Sequence, residues 1–216
     1  MKLKALFKVR LVLSSFLLLS HAVGQNNTEP LNMGPIINSG ARDAEPTFTS
    51  DGQTMYFNCF DRKGKVGSDI CVTHRQANSW TEPEIVGAVS TDEYLEVEPL
   101  LSPDGNQLFI MSNRPGGLGG TDIWVSDLVG GEWTSPRNLG APFNSPDSDH
   151  CLYFSGENWE FAYWTSTRPG GFGGNDIWMS QRVQGVWQEA SNLGPDVNSA
   201  ESEHHSLPSE DGKSLY

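Results

Sequence analysis

Four side chains of a kind that could do chemistry fall at matching places in a chain that repeats itself. Glu45, Glu98, His150 and His205 each open a short β-rich stretch, and His204 adjoins the last of them. Carboxylate and imidazole together suit zinc or another transition ion, or a polar ligand. The alternative is local: each group bonds to a neighbouring strand or a loop amide. Metal bonds of about 2.0–2.3 Å ask the donors to converge closely, which side chains spread around a ring need not do.

The second candidate is a Gly-rich loop that occurs twice, as SNRPGGLGGTDIWVS at 112–126 and STRPGGFGGNDIWMS at 166–180, with a degraded copy, CFDRKGKVGSDICVT, at 59–73. Successive amides in such a loop could cradle a phosphate. A P-loop is excluded, because no Lys-Ser or Lys-Thr follows the glycines and no helix is expected after them. The structural reading has Gly116, Gly117, Gly119 and Gly120 supplying positive φ in a tight connection, with Gly170 and Gly171 as structural loop residues of the second copy. Asp122, Asp176 and Asp69 then hold loop amides or pair with Arg114, Arg168 and Arg62. Recurrence in every copy favours architecture over a unique site. Arg114 and Arg168 open these loops and are expected on the same face as Glu45, Glu98, His150 and His205, so they join the candidate ligand-binding set at a channel mouth.

No Gly-x-Ser-x-Gly elbow is present. A glycosidase would need converging carboxylates, whereas Glu45 and Glu98 lie in adjacent repeats whose next partners are His. The pattern therefore names no catalytic residue and no cofactor.

These residues must be positioned by short strands. EPLLSPDGNQLFIMS at 98–112 reads as strand, Pro-Asp-Gly turn, strand. The Gly-rich loop follows, then DIWVSDL at 122–128, a Gly130-Gly131 turn and WTSPRNLG at 133–140. Four short strands recurring every 53 or 54 residues describe an all-β chain, a β-propeller of four-stranded blades. Blades are expected at about 45–87, 98–140 and 150–194, with a partial blade at 203–216. PLNMGPIINS at 30–39 resembles PRNLGAPFNS at 136–145 and reads as a blade tail of the kind that closes a propeller ring. The ring is expected to be incomplete at Tyr216. Trp80, Trp133 and Trp187, one per blade, read as packing residues.

Residues 1–24 have the form of a signal peptide. Lys2, Lys4, Lys8 and Arg10 precede an apolar run from Leu11 to Leu19, and Ala22-Val23-Gly24 offers a cleavage site. A periplasmic or secreted chain with no transmembrane segment is expected. Removing those four basic residues changes the formal charge from −13 to −17. Such a surface repels nucleic acid and suits a basic protein patch, a cation or a sugar. In an oxidising compartment Cys59 and Cys71, on adjacent strands of one hairpin, can bridge if geometry allows. Cys151 has no evident partner.

SPDGNQLFIMS at 102–112, TSDGQTMYF at 49–57, SEDGKSLY at 209–216 and the two RPGG loops resemble the WD40-like β-propeller repeat of bacterial exported proteins, the type of TolB and tricorn-like proteases. The loops look most like propellers that accompany OmpA-type peptidoglycan-binding domains. The resemblance implies a non-catalytic envelope scaffold that binds an envelope protein or a peptidoglycan-associated partner. The alternative is a carbohydrate- or metal-dependent hydrolase using the channel mouth. The 216 residues show neither the α/β domain that precedes the TolB propeller nor an OmpA-like segment, so the envelope role rests on the repeats.

Overall fold

β-rich runs cut by turn residues fold into short antiparallel strands, and three consecutive five-stranded sheets result. The computed structural model describes residues 32–62, 67–156, 158–209 and 213–216. The expected signal peptide lies outside them. The first sheet holds β1 (Asp43–Phe48), β2 (Thr54–Phe60), β3 (Ser68–Gln76), β4 (Ser79–Trp80) and β5 (Glu84–Ile85). The second holds β6 (Glu96–Leu101), β7 (Gln107–Ser112), β8 (Asp122–Val129), β9 (Glu132–Trp133) and β10 (Arg137–Asn138). The third holds β11 (Asp149–Ser155), β12 (Phe161–Ser166), β13 (Asp176–Val183), β14 (Val186–Trp187) and β15 (Ser191–Asn192). No α-helix occurs among the described residues.

Within each sheet the first three strands pair in order, and the last two both pair with the third strand. The expected fourth strand is thus split. In the first two sheets the break falls at Pro83 and Pro136, which have no N–H to give to a ladder. Buried Asn144 spans the end of the second sheet as a substitute strand. Its Oδ1 accepts from Ile123 N and its Nδ2 donates to Ile123 O, each at 2.8 Å. Asn198 does the same for Ile177, and Ser90 for Ile70.

Strand alternation sends neighbouring side chains to opposite faces. Leu108 and Ile110 therefore pack with Tyr56, Ile70 and Leu101 between the first and second sheets. Phe109 faces the other way and packs with Leu152, Trp164 and Trp178 between the second and third. Burying a side chain such as Phe109 stabilises by about 1.5–3 kcal/mol. Trp133 crosses between sheets, its Nε1 donating to Tyr56 OH at 3.2 Å. Trp187 meets Phe143 edge-on, with ring centroids 5.3 Å apart. Cys59 and Cys71 form a disulfide across β2 and β3.

Candidate functional site

Each first strand carries an irregularity at the same place. The register shifts between Ala44 and Thr47 in β1, Val97 and Leu100 in β6, and His150 and Tyr153 in β11. A bulge inserts an unpaired residue and re-aims side chains. The residue in the left-handed conformation is Glu45 (φ 54°), Glu98 (φ 57°), Cys151 (φ 54°) and, in the 203–206 segment, His205 (φ 53°). The expected equivalence of His150 with Glu45 and Glu98 does not hold. Cys151 occupies that position, and His150 matches Ala44, Val97 and His204. The constant offset of 53 residues from Glu45 to Glu98 to Cys151 is the signal that finds it.

The bulge residues are linked from sheet to sheet. Glu98 N–H donates to Asn58 Oδ1 at 2.8 Å, and Asn58 Nδ2 donates to the Glu45 carboxylate. Cys151 N–H donates to Glu98 Oε2 at 2.5 Å, and the Cys151 thiol lies 3.3 Å from Glu98 Oε1. Glu45, Glu98 and Cys151 line a cavity of about 400 Å³ with Leu100, Tyr153 and Leu207. Burial, and then the Glu98 charge, push the Glu45 carboxyl above its ordinary value and push the Cys151 thiol well up. Burial raises Tyr153 to about 12. Burial, followed by His150 and His205, lowers His204.

Three imidazoles, of His150, His204 and His205, adjoin this group. His150 Nδ1 is 3.2 Å from Cys151 Sγ and 3.9 Å from Glu98 Oε1. His150 Nε2 is 3.1 Å from Asn175 Oδ1. An amide oxygen only accepts, so Nε2 carries a proton, and in the neutral ring Nδ1 then presents its lone pair. Asn175 Nδ2 donates to His204 Nε2 at 3.2 Å. His205 Nε2 is 4.0 Å from Glu45 Oε1. Of the four expected mouth residues, Glu98 and His150 converge, and His205 and Glu45 pair beside them. Cys151 and Asn175 complete the cluster and are absent from the expected set.

The arginines are placed elsewhere. Arg114 Nη2 meets Glu96 Oε1 at 3.0 Å, donates to Val89 O at 2.5 Å, and its guanidinium lies over Trp124. Arg168 meets Asp149 at 2.7 Å and donates to the carbonyls of Pro142 and Phe143. Arg62 repeats the pattern with Asp43 at 3.0 Å. Arg114 and Arg168 tie the start of a first strand to the tail of the preceding sheet, and Arg62 ties Asp43 to the carbonyls of Ile36 and Ile37.

Asp122 and Asp176 hold loop amides, and the ion-pair partners of Arg114 and Arg168 are Glu96 and Asp149 instead. Asp122 Oδ2 accepts from Leu118 N at 2.6 Å and Gly119 N at 3.3 Å. Asp176 takes the same two bonds from Phe172 and Gly173. Asp69 sits opposite Cys59 as Asp122 sits opposite Ser112. Gly116 and Gly170 have φ of 92° and 96°, whereas Gly117, Gly119 and Gly120, expected to share that conformation, do not have positive φ, nor does Gly171, and these four are glycine for lack of room. A Cβ on Gly117 or Gly171 would run into the Asp122 or Asp176 carboxylate, and one on Gly119 into the carbonyl of Asp147. Asp149 N donates to Thr121 O at 2.8 Å, so each loop is also bound to the connection into the next sheet. At the tips of these fixed loops Leu118 and Phe172 stand 54% and 50% exposed.

No family model matches the chain, and no curated protein sequence matches it. Among solved structures, a protein of Agrobacterium tumefaciens assigned as TolB is similar, with a TM-score of 0.50 and 15% identity. The alignment covers 77% of this chain and 55% of that one. A puromycin-hydrolyzing peptidase of Mycobacterium tuberculosis aligns with a TM-score of 0.47 and 15% identity, over 77% of this chain and 25% of that one. The first likeness is one of fold, the β-propeller. Among the described residues no helix is long and apolar enough to cross a membrane.

Proposed function

We propose that the chain is an exported, non-catalytic propeller of the TolB-like type that binds an envelope protein through the face carrying its Gly-rich loops. The observation that carries this reading is the pair Leu118 and Phe172. A large apolar side chain sits at the same tip position in two successive sheets, on a loop clamped by Asp122 or Asp176. Rigid presentation of apolar anchors lowers the ordering cost of docking. The chain carries a formal net charge of −13, which suits a partner with a basic rim.

The carboxylates on the first strands support a non-catalytic role. Glu45 is held by Asn58, and Glu98 by the N–H of Cys151. Neither is free to act as one of two opposed acids on a sugar. The test is capture of envelope proteins by the full chain and by the Leu118→Ser/Phe172→Ser variant, beside assays on sacculi and glycan libraries. The reading expects a captured protein lost in the variant at unchanged melting temperature, and no glycan turnover. Turnover that survives in the variant would instead favour the hydrolase.

A further inference from the structure

We infer that Glu98, His150, Cys151 and His205 form a binding site for a divalent transition ion of the zinc type. Three donor atoms already make a compact triangle. Cys151 Sγ to His150 Nδ1 is 3.2 Å, Cys151 Sγ to Glu98 Oε1 is 3.3 Å, and His150 Nδ1 to Glu98 Oε1 is 3.9 Å. Zinc bonds of about 2.0–2.3 Å put tetrahedral neighbours roughly 3.3–3.6 Å apart, so an ion fits with shifts of a few tenths of an ångström. His205 supplies the fourth donor, since its ligand atom lies within 4.8 Å of those of Glu98 and Cys151.

The fold explains the convergence. Consecutive residues of a regular strand point to opposite faces, whereas the bulge in β11 brings His150 and Cys151 to one site. The equivalent pairs in the first two sheets are Ala44-Glu45 and Val97-Glu98. The same bulge therefore forms without imidazole or thiol, and architecture does not require them at 150, 151 and 205. Asn175 supplies the outer support such sites use, fixing the His150 tautomer that leaves Nδ1 free. His205 is exposed and provides an entry path. Thiolate, imidazole and carboxylate together favour zinc over calcium or magnesium.

On binding, the thiol proton leaves to solvent and sulfur bonds the metal as thiolate. Four protein donors leave no open position, so the ion acts as a staple joining β6, β11 and the 203–206 segment.

The test uses the full chain stripped with chelator and titrated with zinc or cobalt(II). One equivalent is expected, with a raised melting temperature and thiolate-to-cobalt charge-transfer absorption. Cys151→Ser removes the absorption, His150→Asn weakens zinc binding strongly, and Asn175→Ala weakens it about 10–100-fold. His74→Asn, at an exposed position on β3 of the first sheet, leaves binding unchanged. Absence of zinc uptake by the stripped chain, or uptake and absorption unchanged in both Cys151→Ser and His150→Asn, overturns the assignment. If Cys151→Ser fails to fold, His150→Asn and Asn175→Ala alone decide.

Discussion

The backbone N–H of Cys151 donates to Glu98 Oε2 at 2.5 Å, joining the bulge of one sheet to the bulge of the next. The bond satisfies an amide whose residue is buried and in a left-handed conformation. Glu98→Ala, measured in chelator, should lower stability by about 1–3 kcal/mol, the cost of an unpaired buried donor. Glu98→Gln keeps an oxygen at that place and should recover most of the loss. Urea denaturation reads both.

Arg168 holds Asp149, which is fully buried, while bonding two backbone carbonyls. Arg168→Ala leaves that carboxylate without its cation, and the expected cost is about 3–5 kcal/mol. Arg168→Lys should recover only part, because a point charge cannot reach three acceptors in the plane of a guanidinium. A chemical melt of the three proteins checks the order.

Gly119 and Gly87 separate close approach from glycine in general. A Cβ at 119 meets the Asp147 backbone, whereas a Cβ at 87 meets nothing within 4 Å and φ there is ordinary. Gly119→Ala should destabilise by about 1–3 kcal/mol. Gly87→Ala should be neutral or gain about 0.4–1 kcal/mol.

The repeat, the Asp-Gly turns and the loop aspartates were legible in the sequence because each is a local pattern copied at a fixed interval. Asp122 and Asp176 do hold loop amides, as one of the two readings expected. The bulge was not legible. It shifts β11 by one residue against the chemical analogy, so that Cys151, unlike Glu45 and Glu98 in type, takes their place while His150 stands beside it. Arg114 was equally opaque. Its partner Glu96 lies two residues before Glu98, and only the folded first strand separates the acid that faces inward to the arginine from the acid that faces the cavity. The Cys59–Cys71 disulfide could be posed from hairpin adjacency, but pairing depends on a diagonal across β2 and β3 that residue spacing does not encode.

Glu45 gives a pH dependence of known sign. Its folded-state carboxyl lies above the ordinary 4.5, chiefly through burial and then the Glu98 charge. The folded chain therefore holds a proton that the unfolded chain releases first. The resulting stability is fully present below about pH 4.5 and is lost as pH rises through the folded value. Glu45→Gln keeps the bond to Asn58 and removes the charge. Its melting temperature relative to the parent should climb from about pH 4 to pH 7. A flat difference across that range would contradict the burial argument.

Phe172, in the loop before β13, and Val186, at the start of β14 beyond its far end, are both exposed apolar side chains. They offer the most direct test of the proposed binding face. A photo-crosslinking residue placed at either position in the full chain, in intact cells, reports which end meets a partner. The account predicts a discrete protein adduct from position 172, and equally from 118, with none from 186. An adduct from 186 with none from 118 or 172 would contradict it.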